Sequence, residues 1–145
     1  MFLQSSNRKS ESVDLAEAVK KSKRVYIIGN GGSFANASHI ANDLLSVGVK
    51  AFTLDPASLT ASANDFGYDT VFSRWLKVVG EPGDLLIALS GSGTSKNILK
   101  ALDTANEIGM RYHLVTDYLD GIDMQESEEA QVTLGHGIMK ELRGR

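Results

Sequence analysis

The chain has no cysteine, which excludes disulfides, thiolate metal sites and cysteine nucleophiles together. It has no apolar run near the ~18 residues that a membrane span needs. It also lacks positive charge in excess: the formal net charge is −3, so nothing electrostatic favours nucleic acid or an anionic membrane. The opening stretch, MFLQSSNRKSES, turns polar after three residues and has no signal-peptide core, so a cytoplasmic location is expected. Internal repeats, long linkers and low-complexity tracts are absent. There are only two prolines, and both fall in breaks, Asp55-Pro56 and Glu81-Pro82-Gly83.

What remains is ordinary for a globular domain. At 145 residues, 42% apolar and 23% charged, the chain fits a single domain spanning 1–145 with a real core. Strand-like and helix-like segments alternate. A helix is expected over about 10–22, with Asp14 early and Lys20 and Lys21 late, ahead of a solvated Lys20–Arg24 cluster. Strands are expected at Arg24–Ile28, Lys50–Leu54, Asp84–Leu89 and Arg111–Val115, making a sheet core over about 24–116. Asp84–Leu89 is almost wholly apolar, as a central parallel strand is. The intervening helices are read at Ser33–Leu45 (apolar stripe Ala37, Ile40, Ala41, Leu44, Leu45), Leu59–Ala63, Thr70–Val79 (Val71, Trp75, Val78, Val79) and Ser95–Ile108 (Ile98, Leu99, Leu102, Ala105, Ile108). Gly109 is read as a helix-ending residue. Ala130, Leu134, Ile138 and Leu142 recur every four residues, favouring a C-terminal helix over about 128–143, although Gln131–Leu134 also alternates like a strand. This alternation predicts an α/β fold, a parallel sheet between two helix layers.

Two loops follow strands. Gly29-Asn30-Gly31-Gly32-Ser33 carries three glycines that permit close backbone approach, and Ser33 is placed to cap the next helix. Ser90-Gly91-Ser92-Gly93-Thr94-Ser95 offers four hydroxyls in front of a helix N-terminus, which suits a phosphate. Either loop could be a tight connection only. Ligands of open α/β sheets bind at the carboxyl ends of strands, and two such loops there favour an anion site. Neither loop is a Walker A or dinucleotide fingerprint, so no nucleotide cofactor is expected.

GNGGSFANASHIANDL, ANDFGYDTVFSR and ALSGSGTSKNILKALDTANEIGM together resemble the sugar isomerase (SIS) domain family, most closely its phosphoheptose isomerase branch. The resemblance runs from about Val25 to Met110, with a weaker tail over Glu128–Leu142. It implies a flavodoxin-like sheet of four to five strands in a three-layer α/β/α domain, a homotetramer with sites between subunits, and aldose–ketose isomerisation of sedoheptulose 7-phosphate. Carried over by position, Asn30, Gly31, Gly32, Ser33, Asn64, Asp65, Ser90, Gly91, Ser92, Ser95 and Glu128 would bind sugar phosphate. Asp43 and His136 would be catalytic, and His39, Asp43, Glu128 and His136 would hold a divalent ion such as zinc. The chain departs from the family at Gly91 (usually Thr), Asp43 (Glu), Gln125 (Asp) and Glu128 (Gln). Its N-terminal helical region and its Thr116–His136 segment are also shorter than the family's. A non-catalytic phosphosugar sensor or interaction protein of the same family is the alternative.

His39 and Asp43 lie four residues apart on one helix face with Asn36. That spacing suits a metal pair, an acid–base pair or a plain solvated face. Glu128 and His136 on one regular helix would stand about 12 Å apart. A site using both would need a second chain or a broken helix. His113 is read as a core or edge histidine, and Tyr68 and Trp75 as packing residues.

Overall fold

Five parallel strands make one sheet: β1 (Phe2–Leu3), β2 (Val25–Gly29), β3 (Ala51–Phe52), β4 (Leu85–Leu89) and β5 (Arg111–Val115), in the order β1-β5-β4-β2-β3. The computed structural model describes residues 2–3, 8–116 and 123–144. Residues 117–122, within the Thr116–His136 segment, lie outside the described residues. The helices are α1 (Arg8–Lys20), α2 (Gly32–Ser46), α3 (Pro56–Phe66), α4 (Val71–Val79, after a 3-10 turn at Tyr68–Thr70), α5 (Lys96–Ile108) and α6 (Met124–Arg143). None of the described helices is long and apolar enough to cross a membrane.

The two-residue period of the central strands separates the core into two layers. Val25, Ile27, Leu85, Ile87 and Leu89 pack against Leu15 and Val19 of α1, Ile40 and Leu44 of α2, and Leu134 and Ile138 of α6. Tyr26, Ile28, Leu86 and Ala88 face the other way, onto Phe72 and Leu76 of α4 and Ile98, Ala101 and Ala105 of α5. The three-layer α/β/α expectation therefore holds. β2 and β4 are wholly buried, which matches their unbroken apolar runs.

Leaving β1 aside, the strands stand in the flavodoxin-like order, with β2 between β3 and β4. The chain reverses its direction of travel across the sheet between β2 and β4, and this switch point is where such sheets open a crevice. Gly29 pairs in register with Leu89, so the loops after β2 and β4 start level with each other on either side of that crevice.

Several local expectations are corrected. Leu45 is 51% exposed, Leu99 41% and Val78 84%; their spacing fits an apolar stripe, but each helix rolls its other apolar residues inward. Ala101 and Thr104 occupy the α5 face instead. The helix expected at Leu59–Ala63 begins at Pro56, which takes the first helical position where a missing N–H costs nothing, and Asp55 caps it by accepting from Ser58 N at 3.1 Å. The first helix starts two residues earlier than about 10, and Asp14 lies mid-helix, with Glu11 in the first turn. The strand expected at Lys50–Leu54 is reduced to Ala51–Phe52. β1 carries no local strand signal; it pairs in parallel with Tyr112 and His113 of β5. The C-terminal ambiguity resolves as helix, which begins at Met124, four residues before the expected start, and Gly109 ends α5 in the left-handed region at φ 91°.

Candidate functional site

Loop one is shaped by Gly31, whose φ of 55° with ψ −121° is open to glycine and strained for other residues. α2 starts at Gly32, and no side chain caps it. Ser33 does not cap the helix as expected. It lies inside the first turn, buried, and its Oγ accepts from Gln131 Nε2 of α6 at 3.0 Å. A Cβ at Gly32 would collide with the Glu128 carboxylate, so a bare backbone there is what lets that carboxylate settle over the α2 N-terminus. The positive end of the helix dipole favours an anion at this place.

In loop two, Ser90 is buried and its Oγ accepts from Gly93 N at 3.2 Å. Ser92 Oγ accepts from Thr94 N at 3.2 Å and from Thr94 Oγ1 at 3.1 Å. Ser95 precedes α5 in extended conformation, and its hydroxyl forms no capping bond. The Ser90 and Ser92 oxygens thus brace the loop as acceptors and each keeps its O–H proton, Ser90 buried and Ser92 exposed, while Ser95 keeps its whole hydroxyl. The first-turn N–H groups of α5 have no intrahelical acceptor and lie behind those hydroxyls.

The two loops are joined by a hydrogen-bonded cycle. Asn30 Nδ2 donates to Asn97 Oδ1 at 2.9 Å, and Asn97 Nδ2 donates back to Asn30 Oδ1 at 2.8 Å. Tyr68 Oη donates to the same Asn30 oxygen at 2.6 Å. The Asn30 side chain, expected to meet ligand, is thus largely engaged with protein. A recess of about 230 Å³ beside this loop is lined by Gly31, Phe34, Leu59 and Tyr68 among others. A larger cavity of about 520 Å³ is lined by Tyr26, Phe52 and Trp75, away from every site residue selected from the sequence. Volume alone is therefore a poor guide to the chemistry here.

Further along α2, His39, Asp43 and His136 come together. Their ligating atoms all lie within 4.8 Å of one another. Asp43 Oδ2 stands 3.2 Å from His39 Nε2 and 3.8 Å from His136 Nε2, and the imidazole rings meet edge-on at 5.7 Å between centroids. That carboxylate oxygen is buried without a hydrogen bond, while both histidine side chains are about half exposed. A buried carboxylate oxygen facing two imidazole nitrogens, with an open side, fits a divalent cation. α6 brings His136 to α2 within one chain and without a break in the helix. Glu128, the fourth expected ligand, is not in this cluster; it lies two turns away over Gly32, in line with the helix rise.

Asn64 and Asp65 are exposed on the last turn of α3 and bond to each other at 3.3 Å. Gly91 is half-buried at the start of the serine loop. Gln125 lies in the first turn of α6 and donates to Glu129 at 3.1 Å. His113 is fully buried and pairs with Glu11 of α1, as suits a core histidine. Trp75 packs edge-on against Tyr26.

Asn97 and Gln131 escaped the sequence reading. Gln131 is 1% exposed and links Ser33 to Asn36, whose Nδ2 donates to Gln131 Oε1 at 2.9 Å and to Glu128 O at 2.8 Å. Both residues fall on the buried faces of their helices, and a polar residue in an apolar stripe was the signal available. Tyr68, read as packing, is also a hydrogen-bond donor to the loop.

A family model described as SIS domain matches residues 9–116. A phosphoheptose isomerase from Akkermansia muciniphila is 40% identical over 121 residues, 78% of this chain and 64% of that one. Another, from Chlorobaculum parvum, is 43% identical over 107 residues, 67% of this chain and 51% of that one. The chain thus spans between half and two thirds of the length of these curated relatives. The solved structure of phosphoheptose isomerase GmhA from Neisseria gonorrhoeae superposes with a TM-score of 0.84 at 25% identity, over 95% of this chain and 86% of that chain.

Proposed function

Because the chain belongs to the SIS domain family, we propose that it is a phosphosugar isomerase interconverting sedoheptulose 7-phosphate and an aldoheptose 7-phosphate. The meeting of His39, Asp43 and His136 across α2 and α6 carries this reading beyond phosphosugar binding. A bare sensor needs the two loops but has no use for a carboxylate held between two imidazoles.

In this reading the phosphate sits on Ser92, Ser95 and the α5 N-terminus, with Gly31, Gly32 and Ser33 forming the opposite wall. The Asp43 carboxylate takes a proton from C1 of the open-chain ketose, giving an enediol, and the proton returns at C2 to form the aldose. His136 moves the hydroxyl proton between O1 and O2. His39 fixes the Asp43 carboxylate through its Nε2. His39, Asp43 and His136 are also the residues that would hold a divalent ion, zinc by donor type, which would polarise the substrate carbonyl. Glu128 stands over the α2 N-terminus as a sugar contact. His39 is about 10 Å along α2 from Gly32, so the ligand must be extended, which favours a long sugar. The half-exposed histidines leave room for a second copy to close the site, and we assign the protein as a cytoplasmic homo-oligomer, a tetramer by family likeness.

The test is turnover of sedoheptulose 7-phosphate followed by proton NMR in deuterated water. Incorporation of deuterium at C2 of the aldose product is expected. Binding without any exchange or turnover would leave the sensor reading in its place.

A further inference from the structure

Resting on the phosphosugar reading above, we propose that Asn97 is a positioning residue: with Asn30 and Tyr68 it fixes the separation of the two loops and so sets which length of sugar phosphate the crevice accepts. Asn97 is the second residue of α5 and is 2% exposed. A buried amide is costly unless its polar atoms are partnered, and the partner here is an amide on the other loop. The reciprocal bonds at 2.9 and 2.8 Å close a ring that tolerates little shear, because displacing either loop breaks both at once.

Asn30 Oδ1 accepts from Asn97 Nδ2 and from Tyr68 Oη, which uses both of its lone pairs. Asn30 is therefore the junction of three segments: the loop after β2, the first turn of α5, and the 3-10 turn before α4. None of these bonds is needed to build the sheet, whose strands are already paired in register beneath the loops. What the ring determines is how far Gly31–Ser33 stand from Ser92–Ser95. Inorganic phosphate engages the serine loop alone. A sugar phosphate spans both walls, so it alone senses their spacing.

The experiment compares calorimetric affinities for inorganic phosphate and for sedoheptulose 7-phosphate in wild type, Asn97→Ala, Tyr68→Phe, Asn30→Ala and the Asn30→Ala/Asn97→Ala double variant. Asn97→Ala should weaken sugar phosphate about tenfold and Tyr68→Phe about threefold, the range of one or two lost neutral hydrogen bonds. Inorganic phosphate should stay within about twofold in both, within the scatter expected of an uncoupled site. The double variant should lose no more than the worse single one, because both break the same pair. Equal weakening of the two ligands would mean a merely structural role and overturn the proposal, as would unchanged selectivity in Tyr68→Phe. Tyr68 is half exposed and its ring is kept in Phe, so this variant decides the matter even if Asn97→Ala fails to fold. A wild type that binds inorganic phosphate but no sugar phosphate would remove the phosphosugar reading itself, and this proposal with it.

Discussion

At the scale of single residues, the arrangement separates groups that shape the site from groups left to act. The Ser90 and Ser92 oxygens both accept within the loop, but Ser90 is buried, whereas the more accessible Ser92 and Ser95 hydroxyls can present donors to a phosphate. Ser92→Ala and Ser95→Ala should each weaken sugar-phosphate binding by about 1.5–3 kcal/mol, the range for hydrogen bonds to a charged group, with thermal unfolding unchanged; titration calorimetry alongside a melting curve checks both. Asp43 offers a buried, unbonded carboxylate oxygen. Asp43→Asn keeps the shape but cannot accept the proton, so the isomerase rate should fall by about 10²–10⁴-fold while affinity changes little. Asp43→Glu should preserve the rate or raise it, since the family resemblance implies the longer arm at this position. Steady-state kinetics on the three proteins would expose a different role for Asp43 if all three turn over equally.

At the scale of elements, the site depends on how closely α6 approaches α2. A Cβ at Gly135 would sit 2.7 Å from Ile40 Cγ1, so the contact is set by a missing side chain next to His136. Gly135→Val should destabilise the fold by about 1–3 kcal/mol through overpacking, and should move His136 away from Asp43. Urea unfolding and a rate assay together check this, with isomerisation lost while inorganic phosphate still binds. The strands were readable because they are short, apolar and bounded by glycine or turn residues. The helices were readable as elements, but their inward faces were less so. Spacing alone admitted Leu45, Leu99 and Val78 to the stripes, and only packing against the sheet turns them out. Nothing local marks Phe2–Leu3 as a strand either, because its pairing partner lies more than a hundred residues away.

At the scale of the whole molecule, the flavodoxin-like strand order does the placing. It sets the two loops level at the reversal between β2 and β4, a consequence that follows from topology and not from any one motif. The candidate ligand loops were therefore legible in the sequence, as a hydroxyl-rich and a glycine-rich turn after apolar strands. The contacts that join them were not. Asn97 meets Asn30, and Gln131 meets Ser33, only after the chain has crossed the sheet and returned, and a buried polar partner leaves no trace in spacing. The same holds for His136, which family likeness could nominate but only α6 docking brings to Asp43. With the histidines half exposed on one copy, the chain should assemble, and light scattering at micromolar concentration should give the mass of a tetramer; a monomer would contradict that part of the account.

Isotope exchange decides whether this chain, as proposed, isomerises a seven-carbon sugar phosphate with Asp43 as base. Sedoheptulose 7-phosphate is incubated with wild type, Asp43→Asn and Asp43→Glu in deuterated water, and deuterium at C1 and C2 is read by NMR. Exchange and aldose formation are expected with wild type and Asp43→Glu, and loss of both with Asp43→Asn. Absence of exchange in wild type and in Asp43→Glu, with the sugar phosphate still bound, would contradict the proposal.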